Sequence, residues 1–211
     1  MNKYFVSFFK APVWNKVPRK TVSLFWVWLY VTMKYLQMGP DQDRDIGLVS
    51  KTECLRRMEG DDEAQRVYKG KNLDYFTPGG TYTYCDDKSL VEPSGMLQID
   101  CDHLDDDSPQ MKRRITPEEM KRLLLADPYW GERTLMMFTS PRGHGVKWLI
   151  EVNIMQCDYC TWFKAVRNYL IATYGFGEKQ IDSTVANQSH ACFISYDPDA
   201  YLRADLYEFY I

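Results

Sequence analysis

The chain has 211 residues, which is long enough for one large domain or two small ones around a sizeable core. Hydrophobic residues make up 45% of the sequence and aromatic residues 15%, so an intrinsically disordered chain is excluded. The formal net charge of -3 supplies no overall attraction for nucleic acid, and any such binding has to come from a local site.

The N-terminal region predicts a strand over residues 3–10 and then a buried helix over about residues 21–36, with Thr21 as its N-cap. The apolar part of this helix is too short to span a bilayer, so no membrane segment is expected. Residues 39–50 form a polar connection, and residues 50–70 carry the i, i+4 pattern of an exposed helix.

Turn and strand patterns follow in the middle of the chain. The Pro-Gly-Gly of YFTPGGTYTY predicts a turn and then an alternating strand, and SGMLQIDCD predicts the next strand. An acidic loop, HLDDDSPQ, comes after it. A helix is then predicted from a capping box, with Thr116 at the N-cap, Pro117 at N1 and Glu119 at N3.

The C-terminal region predicts a hairpin, a helix and short terminal segments. Apolar strands TLMMFTS and GVKWLIEV are joined by the short turn PRGHG. A long amphipathic helix ends at Gly175. The final stretch, DAYLRADLYEFY, is expected to be a tail or a small terminal element.

The order of elements favours one fold class. Strands and helices mix without the strict alternation of a doubly wound fold, and the hairpin favours an antiparallel or mixed sheet with helices packed on it. We therefore expect an α+β fold. No internal repeat, low-complexity tract or linker divides the sequence, so residues 1–211 are expected to form one domain.

The six cysteines are scattered, and the N-terminus lacks the pattern of a cleaved signal peptide. Free thiols in a reducing cytoplasm are therefore expected. Cys157 and Cys160 form a C-x-x-C, whereas a structural zinc site needs four ligands. Because the pair lies in a helical pattern, thiols on a helix face are the expected interpretation and zinc is the alternative.

Asp100 and Asp102 end a buried-looking strand, where residues two apart point to the same side. Their carboxylates repel each other unless a cation lies between them. A hard ion such as Mg²⁺ or Mn²⁺ prefers oxygen ligands and removes that repulsion. The alternative is that one aspartate starts a turn and the other is solvated beside the acidic loop.

The predicted hairpin offers donors for an anion. Its polar groups come from Ser140, Arg142, His144 and Lys147, and the two glycines, Gly143 and Gly145, allow close backbone approach. Such a turn can hold a triphosphate through backbone N–H groups, positive charge and a hydroxyl. The alternative is an ordinary hairpin with solvated basic residues.

A third carboxylate, Asp182, follows Ile181 at the end of a short apolar segment. Alone it favours a turn or cap. Its significance comes from the order of the motifs along the chain. A carboxylate pair comes first, a hairpin suited to binding phosphate follows, and a single carboxylate comes last. Three carboxylates around one or two divalent ions are what in-line nucleotidyl transfer requires.

This order of motifs resembles the archaeo-eukaryotic primase superfamily, the primase-polymerases. The segments LDYFTPGGTYTY, SGMLQIDCDHLDD, TSPRGHGVKWLIEV and ACFISYDPDAY are similar to the primase-like domain N-terminal to VirE-type helicase-like regions of bacterial mobile elements. The resemblance covers roughly residues 65–201. It implies an RRM-like catalytic unit over residues 91–200 and a small N-terminal α/β unit over residues 1–90.

The resemblance also implies roles for individual residues. Asp100, Asp102 and Asp182 would be the metal ligands, and Ser140 matches the serine of the second motif. Lys147 replaces the nucleotide-contacting histidine and keeps a positive charge. Two histidines complete the nucleotide-binding set: His144 lies in the turn three residues earlier, and His190 lies where relatives often have an arginine.

We therefore expect a nucleotidyltransferase that primes or extends strands, with nucleoside triphosphates and a single-stranded DNA template as partners. The sequence ends just beyond the primase-like region, so either a separately encoded helicase is an expected partner or the chain is a fragment of a longer protein. The alternative is a catalytically degenerate binding module that serves replication. A rolling-circle nuclease is disfavoured, because no His-x-His occurs. The basic cluster at residues 111–114 is either a template patch or a solvated helix face.

Overall fold

Ten strands and five α-helices occur in the parts of the chain that this computed structural model describes, residues 4–38, 49–108 and 111–207. The strands are β1 (Phe5–Phe9), β2 (Lys20–Ser23), β3 (Tyr75–Thr77), β4 (Gly80–Tyr82), β5 (Leu90–Pro93), β6 (Met96–Cys101), β7 (Thr134–Thr139), β8 (Val146–Glu151), β9 (Cys192–Phe193) and β10 (Tyr201–Leu202). The helices are α1 (Leu24–Thr32), α2 (Lys51–Arg56), α3 (Asp62–Asn72), α4 (Pro117–Leu125) and α5 (Tyr159–Tyr174). Short 3-10 helices span Lys34–Gln37, Asp87–Ser89, Ser183–Ala186 and Ala204–Leu206.

The strands form two four-stranded sheets and a two-stranded ribbon. The first sheet has the order β2-β1-β3-β9, the second has the order β10-β7-β8-β6, and β4 pairs with β5. All of these pairs are antiparallel. The expected α+β class is therefore confirmed, with helices packed on antiparallel sheets.

The second sheet is covered on both faces, which explains why β6 and β7 are buried along their whole length and β8 is buried as far as Ile150. Because side chains alternate along a strand, Leu97, Ile99 and Cys101 of β6 face a cluster formed with α4 and α5. Met96 lies in the other cluster, with α1 and the first sheet. Asp100 shares the face of Met96, so it is directed toward the first sheet.

The helix predicted over residues 21–36 begins later than expected. Thr21 lies in β2, and Ser23 is the N-cap of α1, accepting a hydrogen bond from the Trp26 N–H at 3.2 Å. The prediction of Thr21 as a cap was wrong, because β2 pairs with β1 and draws the first residues of the apolar run into the sheet. Pairing with an existing strand outweighs helix propensity there.

Two other segments differ from the sequence prediction. Residues 50–70 form two helices, α2 and α3, separated by a turn that contains Gly60 with a φ of +91°. Tyr201–Leu202 is an edge strand that pairs with β7, so the terminal segment completes the second sheet. The polar connection predicted over residues 39–50 lies outside the described residues except for its last two positions.

The division into units at residues 90 and 91 stays a prediction. β9 lies late in the sequence but pairs with β3 in the first sheet. The chain therefore returns to the first sheet after building most of the second. No helix in the three described ranges is long and apolar enough to cross a membrane.

The predicted caps of two helices are confirmed. Thr116 and Glu119 form a reciprocal capping box at the start of α4. Gly175 ends α5 with a φ of +73°, a left-handed conformation that glycine adopts without steric cost.

Thr116→Ala is expected to lower the free energy of unfolding by about 1 kcal/mol, because it leaves the Glu119 N–H without its cap. A Tm decrease of about 2–4 °C in thermal denaturation would correspond to that loss. Thr116→Ser keeps the hydroxyl acceptor and is the control, expected to retain the wild-type Tm. Equal Tm losses in both variants would contradict the capping explanation.

Candidate metal centre and its cleft

Three aspartates meet where β6 ends. Residues 180–182 run antiparallel to residues 100–102, with Cys101 and Ile181 as bridge partners. The Asp182 N–H donates to the Asp100 carbonyl oxygen at 2.9 Å, and the Asp102 N–H donates to the Gln180 carbonyl oxygen at 3.0 Å. These backbone hydrogen bonds bring Asp182 beside the pair on β6, although it lies some 80 residues later.

One carboxylate oxygen from each of the three aspartates lies within 4.8 Å of the others. Asp100 is 3% exposed, and its Oδ1 has no hydrogen-bond partner among the described residues. Both Asp182 oxygens accept from Thr184, from its N–H and its hydroxyl at 2.8 Å each. A buried carboxylate oxygen without a donor is costly, so Asp100 is directed at a position that a cation would satisfy.

Burial raises the pKa of Asp102 above its ordinary value, and the nearby negative charge of Asp182 adds to this effect. The positive charge of Lys69 acts in the opposite direction but is outweighed. The chain thus holds carboxylates together where their charges are unfavourable. All of the donors are oxygens, which is the set that hard divalent ions prefer, so the residues present are suitable for holding a metal ion.

Lys147 was predicted to contact nucleotide, and the structure places it against a carboxylate. It lies directly opposite Asp100 in the pairing of β6 with β8, and its Nζ bonds Asp100 Oδ2. Burial lowers the pKa of Lys147 to about 8. Because pH 7 is still below this pKa, the side chain is mostly protonated and supplies positive charge inside the carboxylate cluster.

The hairpin turn is fixed by backbone contacts and by an arginine from α2. The Ser140 N–H donates to the Gly145 carbonyl oxygen at 2.8 Å, and the Gly143 N–H donates to the Ser140 carbonyl oxygen at 2.9 Å. Arg56 donates to the carbonyl oxygens of Pro141 and Ser140 at 3.1 and 3.3 Å. Gly143 has a φ of +96°, and a Cβ there would touch Arg56. The turn is thus held rigidly above the strand end.

Gly145 is a position where the turn needs a glycine. A Cβ there would overlap the Cys101 carbonyl oxygen and lie 2.8 Å from Asp102 Oδ1. The hairpin therefore approaches the carboxylates closely. The sequence predicted close backbone approach at both glycines of the turn and assigned Gly143 to the site, and Gly145 is the glycine that approaches the carboxylates.

The other polar residues of the hairpin already have partners. Arg142 Nη1 lies 3.3 Å from Asp62 Oδ1, at the start of α3. His144 Nδ1 lies 2.8 Å from Asp105 Oδ2 in the acidic loop, and Glu59 is 3.8 Å from its Nε2. These contacts join the hairpin to the helices and to the acidic loop.

The three aspartates line a cleft of about 800 Å³ together with the hairpin residues Ser140, Arg142, His144 and Lys147. Its walls also include Ala191 and Phe193 at β9, so it lies between the two sheets. His190 lines the same cleft, and burial, followed by the charge of Lys147, lowers the pKa of this histidine. A neutral imidazole is therefore favoured at His190 at pH 7. The cleft holds more carboxylates than lysines and arginines, which favours cation binding.

Lys69 is a site residue that sequence reasoning missed. It lies in the last turn of α3, lines the cleft, and its Nζ is 5.1 Å from the centre of the Phe193 ring. Burial lowers its pKa, and its ammonium makes no hydrogen bond or ion pair within the described residues. Nothing in the helical pattern distinguishes it from the exposed Lys71, so only the packing of α3 beside β9 reveals it.

Comparisons with known proteins give one match. A family model described as BT4734-like, N-terminal domain, matches residues 69–202, which is more than half of the chain and includes the three aspartates, the hairpin and Lys69. None of the curated proteins and none of the solved structures compared with the chain matches it. The chain therefore belongs to the family of BT4734-like N-terminal domains.

Proposed function

We propose that the protein is a metal-dependent nucleotidyltransferase of the primase-polymerase type, which synthesises or extends a strand on a single-stranded template in replication or repair of a mobile element. The observation that carries the proposal is the convergence of Asp100, Asp102 and Asp182 in a cleft large enough for a nucleotide. The order of motifs that resembles the primase superfamily supports it independently.

The three aspartates would hold Mg²⁺ or Mn²⁺. Bound there, the ion would activate the 3′-hydroxyl of a growing strand and neutralise the departing pyrophosphate. The protein itself positions the carboxylates and keeps Asp100 out of contact with bulk water. Asp100 is anchored in a sheet that is buried on both faces, and Asp182 is held by Thr184.

The nucleoside triphosphate would bind beside the carboxylates. Lys69 offers an ammonium in the cleft that no carboxylate engages, and Arg142 lines the same space. A cation that is partly removed from water interacts strongly with a phosphate. His190, kept neutral, would serve as a hydrogen-bond donor rather than as a charge.

The fold supports the finer assignment to an RRM-like catalytic unit. Such a unit carries its helices on one face of an antiparallel sheet. In the second sheet α4 and α5 cover one face, and Asp100 lies on the other. A single-stranded DNA template and a separately encoded helicase remain expected partners on the strength of the resemblance.

A binding module without turnover is the second candidate, and one observation favours it. Lys147 engages an oxygen of Asp100 that a metal ligand would otherwise offer. A module of this kind would bind nucleotide in the cleft but would form no product.

Incorporation of labelled nucleotides on a single-stranded DNA template, with Mn²⁺ or Mg²⁺, tests the proposal. Extended or newly primed strands are expected from the wild-type protein and not from the Asp100→Ala, Asp102→Ala double variant. If the wild-type protein forms no more product than the double variant, nucleotidyl transfer is refuted. Binding of a fluorescent triphosphate in the absence of product would then support the second candidate.

Lys69→Met is expected to raise the KM for the nucleoside triphosphate about ten-fold, because a hydrogen bond to a charged group contributes about 1.5–3 kcal/mol. A smaller change in kcat is expected, since the lysine would act on the bound phosphate rather than on the metal ligands. Steady-state kinetics on a fixed template measures both parameters.

Lys71→Met is the matched control, because Lys71 lies two residues further along α3 and is exposed. Its KM should equal that of the wild type. Equal KM values for Lys69→Met and the wild type would mean that Lys69 does not bind the triphosphate.

A further inference from the structure

We propose that Lys147 takes the place of one divalent ion, so that the protein's own carboxylates bind a single metal ion rather than two. The inference rests on the metal site of the proposed function. It assigns Lys147 as a positioning residue that holds Asp100, and it concerns how many ions the protein binds. It does not concern which reaction the protein catalyses.

The first argument is the supply of free oxygens. Lys147 Nζ engages Asp100 Oδ2, which leaves Oδ1 as the unpartnered oxygen of that buried carboxylate. Neither oxygen of Asp102 accepts a hydrogen bond from any described residue, whereas both Asp182 oxygens already accept from Thr184. The remaining capacity points to one position, shared by Asp100 Oδ1, Asp102 and Asp182. One carboxylate oxygen from each of the three residues lies within 4.8 Å of the others.

The second argument is charge. Three ionised carboxylates and one ammonium leave two negative charges in the cluster, which one divalent ion neutralises. A second divalent ion held by the same groups would be repelled by both the first ion and Lys147, and water screens this repulsion only in part because Asp100 and Lys147 are buried. Any further ion would have to arrive with the phosphates of the substrate.

The third argument is that the lysine is built into the site. Lys147 lies on the central strand β8, is paired in register with Asp100, and is 8% exposed. Its ammonium is therefore presented on the side of the strand that carries Asp100, and it is held there by the ion pair with that carboxylate. A surface lysine would move away when a metal ion arrived, whereas Lys147 stays beside the ion.

Isothermal titration of the full chain with Mn²⁺ in the absence of nucleotide, with electron paramagnetic resonance of the free ion as a second readout, counts the bound ions. We expect one equivalent for the wild-type protein. Lys147→Gln removes the charge and retains an amide that can donate to Asp100, and it should bind two equivalents, the first about ten-fold more tightly than the wild type does. Lys147→Met removes the donor as well and should give the same count.

The control is Lys69→Met, which removes one positive charge from the same cleft without releasing a carboxylate oxygen. It should still bind one equivalent. Because Lys147 variants can lose stability, the rise of Tm with added Mn²⁺ is measured too, and it should be larger for Lys147→Gln than for the wild type.

Two equivalents in the wild-type protein, or one in both Lys147 variants, would overturn the inference and leave nucleotidyl transfer untouched. No bound ion in any of the proteins would overturn the inference together with the metal-dependent function. One ion in the wild type and two in Lys147→Gln, in a protein that incorporates no nucleotide, would support the inference and refute the catalytic function alone.

Discussion

Asp102→Asn is expected to reduce nucleotide incorporation by at least about a hundred-fold, while the protein stays folded. The substitution keeps the shape of the side chain and removes one negative charge from the metal cluster. A metal ion supplies several kcal/mol of stabilisation to developing charge, and about 2.7 kcal/mol corresponds to a hundred-fold change in rate. Rates are measured by primer extension at saturating Mn²⁺.

The stability of the same variant separates a metal ligand from a structural residue. Asp102 is half-buried beside Asp182, and its partial removal from water raises its pKa, so its charge works against folding in the absence of metal. Asparagine removes that repulsion, and the metal-free variant should have a Tm above that of the wild type. A residue whose replacement raises stability but abolishes activity serves function rather than folding.

Asp107→Asn is the matched control, because Asp107 lies in the neighbouring acidic loop, and its side chain is 76% exposed beside Arg114. This variant should keep wild-type activity. If Asp102→Asn retained full activity, or lost activity only because its Tm fell, the assignment of Asp102 as a ligand would fail.

The sequence predicts the ligands because their positions follow from local rules. Asp102 directly follows β6, and strand alternation places it on the same side as Asp100. The hairpin is signalled by two apolar strands around a glycine-containing turn. Asp182 could be placed near them only through the order of motifs. The hydrogen bonds that bring it there, from Asp182 to Asp100 and from Asp102 to Gln180, are long-range backbone contacts that no local pattern encodes.

What the sequence could not predict depends on tertiary packing. Lys147 carries the same charge whether it contacts a phosphate or Asp100, and only the register of β6 with β8 decides between them. Lys69 lies in a helix that its pattern marks as exposed, and it becomes a site residue because α3 packs beside Phe193. Thr21 was assigned to a helix because the pairing of β2 with β1 is not visible in the sequence.

Asp197→Ala is expected to lower the free energy of unfolding by about 3–5 kcal/mol, the cost of leaving one partner of a buried ion pair uncompensated. Asp197 Oδ2 accepts from Lys121 Nζ at 2.7 Å and from the Thr139 N–H at 2.6 Å. Both side chains of the ion pair are nearly inaccessible, at 6% and 11% exposure. Denaturant unfolding measures the loss. Activity should fall too, because Thr139 directly precedes Ser140 of the hairpin.

The stabilisation that Asp197 contributes is expected to decrease as the pH falls. Burial acts to raise its pKa, but the hydrogen bonds from Lys121 and the Thr139 N–H outweigh burial and leave the pKa below the ordinary value. The stabilisation is therefore complete above the pKa of the unfolded chain and is lost as the pH falls through the folded value. The difference in unfolding free energy between wild type and Asp197→Ala should accordingly shrink in acid.

A double-mutant cycle with Lys121→Met distinguishes the ion pair from simple loss of packing. If the cost of Asp197→Ala comes from a stranded ammonium, adding Lys121→Met should recover part of the stability, because methionine fills the space without a charge to solvate. The Thr139 N–H stays unpaired in the double variant, so recovery should be incomplete. Additive losses would instead show that Asp197 stabilises the protein through its hydrogen bond with the Thr139 N–H alone. That hydrogen bond fixes the end of β7 from which the hairpin turn begins.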